Sequence, residues 1–288
     1  TADLDEVLPD ESVDAVAVTT PDHTHTELAN RALAAGKHCF VEKPLAQDVP
    51  AAERLVATAD ESELVLMAGH LLEYHPGVER LKRLVDDGEL GEIRYVYSQR
   101  LNLGKLRSDE NALWSLGAHD ISVAVALADE TPAEAWAHGA AFVREGVEDV
   151  VFAFLRHPSG IVTHLHLSWL DPHKERKITV VGSKRMATLD DMALERKLTV
   201  FDKGFDRDFQ SYGEYITRAG EAWSPAIAND EPLRVECDHF IGCVREGRAP
   251  RSDGASGLWV VRVLEALQAS LDGVGAVSPL GERVWAYR

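Results

Sequence analysis

Val13-Asp14-Ala15-Val16-Ala17-Val18-Thr19-Thr20, closed by Pro21, is the stretch on which the fold turns. It is a compact β-branched run, the pattern of a strand buried on both faces of a parallel sheet. A helix is expected to follow. Thr24-His25-Thr26-Glu27 has capping-box spacing, with Thr24 set to bond backbone N–H groups and Glu27 to reach back. Leu28, Ala32 and Ala35 continue at helical spacing to Gly36, a natural stop. His25 thereby falls in the first helical turn, beyond the strand's C-terminal end.

The same grammar recurs downstream. His38 to Glu42 reads as a short strand broken by Lys43-Pro44, and Ala52, Leu55, Val56 and Ala59 mark one face of a second helix. Leu64 to Ala68 makes a third strand, followed by an amphipathic helix carrying Val78, Leu81, Leu84 and Val85 and stopped by Gly88. Three strand-helix units in succession imply right-handed crossovers onto a parallel sheet. Such sheets take ligands beyond the C-terminal ends of their strands, here Thr19-Thr20-Pro21, Glu42-Lys43-Pro44 and Gly69-His70.

After Gly91 the pattern changes to long alternating strands. Ile161, Thr163, Leu165, Leu167 and Trp169 point one way and Val162, His164, His166 and Ser168 the other, as in a sheet with one buried face. Arg156 to Gly160 supplies a hairpin turn into that strand, and Lys177 to Val181 starts another. Two helices close the chain, one marked by Cys237, Phe240, Ile241 and Val244, the other by Val260, Leu264, Leu267 and Leu271. The expected fold class is α/β plus α+β, with a parallel-sheet domain over 1–90 and an α+β domain over 91–288.

Composition narrows the function. The 288 residues carry a formal net charge of -18, which repels a nucleic-acid backbone. The three cysteines, Cys39, Cys237 and Cys243, form no C-x-x-C pair and leave an odd count, which fits a reduced, cytoplasmic setting. No apolar run approaches the roughly 18 residues that span a bilayer, so no membrane association is expected. His23 with His25, and His164 with His166, have no partnered Cys or carboxylate at motif spacing, and no metal is expected.

Two constellations can carry chemistry. Glu42-Lys43-Pro44 puts an ammonium at the ligand end of a strand, where it can hydrogen-bond a substrate hydroxyl and stabilise an alkoxide; the alternative is a surface lysine on a turn. In Trp114-Ser115-Leu116-Gly117-Ala118-His119-Asp120, Ser115 and His119 are four apart and share a face if a helix begins there. His119 is then suited to general-base work by an unperturbed pKa of about 6.5. The alternative is a His119 that satisfies a core hydrogen bond, with Asp120 capping or solvating the helix.

Taken together, Thr19-Thr20-Pro21-Asp22-His23-Thr24-His25, Ala35 to Leu45 and Leu116-Gly117-Ala118-His119-Asp120 resemble the Gfo/Idh/MocA oxidoreductases, as does Val180-Val181-Gly182-Ser183-Lys184. Arg100 to Gly104 and Glu110 to Trp114 look like the branch acting on nucleotide-linked amino sugars, such as UDP-N-acetylglucosamine 3-dehydrogenases. The resemblance implies a Rossmann domain followed by a large, mostly antiparallel sheet that often mediates homo-oligomers, dimers or tetramers. It implies NAD or NADP as cofactor and a sugar or UDP-sugar as substrate. By the same likeness Lys43 lies beside the nicotinamide and the substrate hydroxyl, His119 is the acid/base, and Thr20, Pro21, His25 and Glu42 line the cofactor, with Thr19 and His70 at neighbouring strand ends. Arg100, Asn102, Trp114 and Ser115 are candidates for sugar or nucleotide contacts.

The chain departs from the pattern twice. Ser115 stands where the family commonly has an Asp four residues before its histidine. The family's first β-α-β unit, with its G-x-G-x-x-G, has no counterpart before Val13, so the Rossmann domain is expected to be incomplete in this chain and to bind dinucleotide poorly. The expected activity is hydride transfer between a sugar secondary alcohol and NAD(P), at a hollow shared by Lys43 and His119. The alternative is a protein of the same fold that senses dinucleotide or sugar without turnover.

Overall fold

The structure is a computed structural model that describes residues 3–104, 106–107, 110–208, 214–273 and 275–280. In chain order the elements are α1 (Leu4–Val7), β1 (Ala15–Val18), α2 (His25–Ala34), β2 (His38–Glu42), α3 (Val49–Glu61), β3 (Leu66–Gly69), α4 (Pro76–Asp86), β4 (Ile93–Leu103), α5 (Ala118–Ala128), β5 (Glu134–Ala140), β6 (Val150–Arg156), β7 (Val162–Ser168), β8 (Leu170–Gly182), β9 (Met186–Asp190), β10 (Leu198–Asp208), β11 (Glu214–Trp223), α6 (Pro232–Glu246), α7 (Gly254–Asp272) and β12 (Ser278–Pro279). They form two compact units. The first takes Thr1–Tyr74 and Asp230–Glu265, the second His75–Asn229 and Ala266–Arg288. This corrects a single cut near residue 90. The sequence reading followed chain order, whereas the aromatic ring of Phe240, far along the chain, packs edge-on against Phe40 and so draws α6 into the first unit.

In the first unit β1, β2 and β3 pair in that order, all in parallel, with Ala15 opposite His38 and Cys39 opposite Leu66. β2 and β3 are buried on both faces, as their apolar runs imply. β1 is not: Val18 is buried but Ala17 is exposed, because β1 lies at the edge of this sheet among the described residues. The Thr24 capping box also fails to form. α2 starts at His25 after a 3-10 turn over Asp22–Thr24, and the Thr24 hydroxyl bonds Pro21 O (2.7 Å) and Thr20 Oγ1 (2.5 Å) instead of the helix. Asp48 does cap α3, accepting from Ala51 N at 2.7 Å.

α6 corrects another expectation. Its inward stripe is Glu236, Phe240 and Cys243, while Cys237 and Ile241 are exposed. Apolarity alone placed Phe240 and Val244 correctly but misplaced Cys237 and Ile241, because a buried carboxyl occupies a place the pattern reserves for hydrocarbon.

The second unit is built on a nine-stranded sheet of order β11-β10-β9-β8-β4-β7-β6-β5-β12. Among the described residues only the β4–β7 pairing of this sheet is parallel. β7 keeps the alternation read from its sequence as far as Leu167, with Thr163, Leu165 and Leu167 buried and Val162, His164 and His166 half-buried, but Ser168, expected on the outward face, is buried at the strand's end. No helix among the described residues is long and apolar enough to cross a membrane.

Candidate active site

The strand ends of the first unit bring most of the expected cofactor residues together. Glu42 closes β2 opposite Gly69 on β3. Its Oε2 accepts the backbone N–H of Lys43 at 3.0 Å, a charge-assisted bond that fixes the chain as it leaves the strand. Lys43 is half-buried, and Thr19, Thr20 and Pro21 are exposed beyond β1.

His25 is buried, at 1 % exposure, and its ring joins two of these ends. Nδ1 lies 2.8 Å from Pro44 O and Nε2 2.9 Å from Thr20 O. The ring thus holds the loop after β1 against the loop after β2.

His70 follows β3 and is also 1 % exposed. Neither ring nitrogen has a hydrogen-bond partner among the described residues. Burial, and then the neighbouring Lys43 charge, push the imidazole down to about 4, so His70 is neutral at ordinary pH.

In the second unit His119 is the second residue of α5 and half-buried. A π-helical turn over Leu113–Gly117 leads into α5, so Ser115 and His119 do not keep ordinary α-helical spacing. Ser115 is buried, with its N–H on Asn111 O at 3.1 Å. Asn111 anchors the turn by donating to Glu148 Oε2 (2.6 Å) and Gln268 Oε1 (2.9 Å), while its Oδ1 accepts the N–H of half-buried Trp114 at 3.2 Å. Gly117 packs closely: a methyl there would lie 3.1 Å from Leu113 Cδ1 and from Leu167 Cδ1, so both side-chain ends would have to shift.

Asp120 neither caps the helix nor meets solvent. It is 2 % exposed and takes Arg100 Nε (2.5 Å), Arg100 Nη2 (3.3 Å) and Ser98 Oγ (2.5 Å), tying α5 to β4. Arg100 is therefore held through an ion pair, and Asn102 lies two residues farther along β4, half-buried beside Gly104. Sequence reasoning missed this pair because the partners are 20 positions apart on different elements. Glu236 was missed as well; a charged residue between Val235 and Phe240 in an apolar stripe was its one available signal.

Among the described residues no three or more His, Cys, Asp or Glu gather to hold a metal ion. The donor set at the strand ends, two threonine hydroxyls and an ammonium, has the chemistry that binds phosphate and sugar hydroxyls and so fits a nicotinamide dinucleotide.

A parallel sheet with this polar rim, followed by a large mixed sheet, defines an NAD-binding oxidoreductase architecture. The model of an oxidoreductase family with an NAD-binding Rossmann fold matches residues 1–70, and that of the GFO/IDH/MocA C-terminal domain matches residues 78–188. UDP-N-acetylglucosamine 3-dehydrogenase of Acidithiobacillus ferrooxidans is 32% identical over 246 residues, 85% of this chain and 74% of that protein. The scyllo-inositol 2-dehydrogenase (NAD(+)) of Bacillus subtilis is 23% identical over 85% of this chain and 71% of its own length. Among solved structures, a putative oxidoreductase from Magnetospirillum magnetotacticum superposes with a TM-score of 0.81 at 31% identity, covering 93% of this chain and 84% of that one. The chain belongs to the Gfo/Idh/MocA oxidoreductase family.

Proposed function

We propose that the chain interconverts a secondary alcohol and a ketone on a sugar, with a nucleotide-linked amino sugar as the substrate class. The observation that carries this reading is the Glu42–Lys43 corner, where a carboxylate grips the backbone of a lysine at the C-terminal end of a parallel strand. The A. ferrooxidans relative supports the substrate class. Bound NAD(P) supplies the hydride acceptor or donor. Lys43 hydrogen-bonds the reacting oxygen and stabilises the negative charge that grows on it. His119 takes the hydroxyl proton in oxidation and returns it in reduction. Thr19, Thr20, Pro21, His25, Glu42 and His70 shape the cofactor side, and Asn102, Trp114 and Ser115 the substrate side. Arg100 faces the substrate only as far as its bond to Asp120 allows.

The test is reduction of NAD or NADP by the full chain over a panel of sugars and UDP-sugars, UDP-N-acetylglucosamine included. Lys43→Ala should lower kcat by at least about a hundredfold, in line with loss of an oxyanion-stabilising group, with the melting temperature retained. An unchanged kcat removes Lys43 from the mechanism.

Ser115, standing in place of the family's Asp, favours a second reading as a non-catalytic sensor of dinucleotide or sugar. Tight NAD(P) binding without turnover on any sugar of the panel would select it.

A homo-oligomer, dimer or tetramer, forms through the face of the large sheet carrying Tyr95 and Phe152, which are 44% and 41% exposed. The Phe152 ring stacks on His166 with centroids 4.4 Å apart, giving that face a rigid aromatic surface. Light scattering showing only monomer would reject the assembly. The three free thiols suit a reducing, cytoplasmic compartment.

A further inference from the structure

Glu236 is 0 % exposed, and neither oxygen of its carboxyl has a hydrogen-bond partner among the described residues. Its place follows from the packing of α6. The ring of Phe240 meets Phe40 at 5.9 Å and 61°. On β2, Phe40 and Glu42 are two apart and share a face; on α6, Phe240 and Glu236 are four apart and share a stripe. The aromatic pair therefore brings the face of α6 that carries Glu236 onto the face of β2 that carries Glu42. Gly69 confirms which way Glu42 points, since a methyl there would lie 3.0 Å from Phe40 Cζ and 3.2 Å from Glu42 Oε2.

We propose that Glu236 is a positioning residue for the Glu42–Lys43 corner: it keeps its proton, so that no second negative charge stands beside the Glu42 carboxyl oxygen that holds the Lys43 backbone N–H. A fully buried carboxyl beside a half-buried carboxylate resists ionisation, because the second charge would be desolvated and repelled. Burial first, and the Glu42 charge second, push the Glu236 carboxyl up to about 8. Glu231 and Asp238 flank Glu236 at and on α6, and Lys43 beyond β2, Glu73 in the turn after β3 and Arg251 after α6 lie on neighbouring segments, but the charge that moves Glu236 is that of Glu42. Above that range the second charge repels Glu42 and loosens its grip on the N–H.

The catalytic meaning of this arrangement rests on the role given to Lys43 above, but its test does not. Hydrogen exchange of the full chain, resolved to the Lys43 amide and expressed as a protection factor so that hydroxide catalysis cancels, reads the grip without any substrate. Protection should fall about tenfold between about pH 7 and about pH 9 in the parent. In Glu236→Gln it should stay level across that range, and in Glu42→Ala, which removes the accepting oxygen, it should be low throughout. A level profile in the parent overturns the proposal without need of any variant. So does an equal fall in parent and Glu236→Gln, or full protection in Glu42→Ala. If the exchange behaves as expected while Lys43→Ala turns over normally, the positioning stands and the catalytic reading of Lys43 falls.

Discussion

His25 joins two loops that meet nowhere in the sequence: its Nδ1 lies 2.8 Å from the carbonyl oxygen of Pro44, 19 residues away, while Nε2 lies 2.9 Å from that of Thr20. A buried carbonyl stripped of its donor loses its hydrogen bond without regaining water. His25→Ala should therefore cost about 2–4 kcal/mol, combining the lost bond with the cavity. It should also weaken NAD(P) binding, because the loops after β1 and β2 are no longer tied. Urea unfolding checks the first and calorimetric titration the second. His25→Phe, which fills the space without the bonds, should recover part of the stability and none of the affinity; full recovery of both would assign His25 to packing alone.

The Arg100–Asp120 pair makes a different demand, since its side chains are 12% and 1% exposed. Removing one partner from a buried ion pair leaves a stranded charge, so Asp120→Ala should cost about 3–5 kcal/mol. Replacing both, as Arg100→Met with Asp120→Leu, should cost less than either single change. A double-mutant cycle in guanidinium decides this, and additive losses would show that the two residues act independently.

The parallel strands were legible because β2 and β3 are covered on both faces, and such strands show unbroken apolar runs whatever the rest of the molecule does. The strand-end position of Lys43 followed directly. What stayed hidden was tertiary. Nothing in the spacing of Ser115 and His119 distinguishes a π-turn from an α-helix, and the turn is held by Asn111 through Glu148 and Gln268, residues 37 and 157 positions away. Ile241 looks like core and Glu236 like surface until the position of Phe40 is known, when their roles exchange.

Two buried titrating groups give the first unit opposed pH slopes. His70 is lowered from 6.5 to about 4, so its contribution is complete above its unfolded value and is lost as pH falls from about 6.5 toward 4. Glu236 is raised from 4.5 to about 8, so its contribution is complete below 4.5 and is lost as pH rises through about 8. Between 4.5 and 6.5 these slopes oppose one another, and removing either group should expose the other. His70→Gln should lose stability with rising pH in that window, and Glu236→Gln with falling pH. Lys43→Met should also flatten the acid-side loss, because the lysine charge is the second cause holding His70 down. Urea midpoints at a series of pH values measure all three; parallel profiles for parent and variants would show that neither group couples to folding.

Gly69 turns the packing around Glu42 into a test of the site. A methyl at that position would lie 3.0 Å from Phe40 Cζ, 3.1 Å from Glu42 Cα and 3.2 Å from Glu42 Oε2. The ring and the carboxylate can shift, but the Cα belongs to a strand paired on both sides, with β1 and β3. The strain should therefore fall on the carboxylate, which is the group that holds the Lys43 N–H. Gly69→Ala should cost about 1–3 kcal/mol through overpacking. If Lys43 acts on the substrate, the same change should lower kcat more than it raises KM, because it disturbs a reacting group and not the bulk of the binding surface. A crystal structure of Gly69→Ala with the Glu42 carboxylate still on the Lys43 amide, together with parent kinetics, would show that the strand absorbs the methyl and that the corner does not depend on glycine.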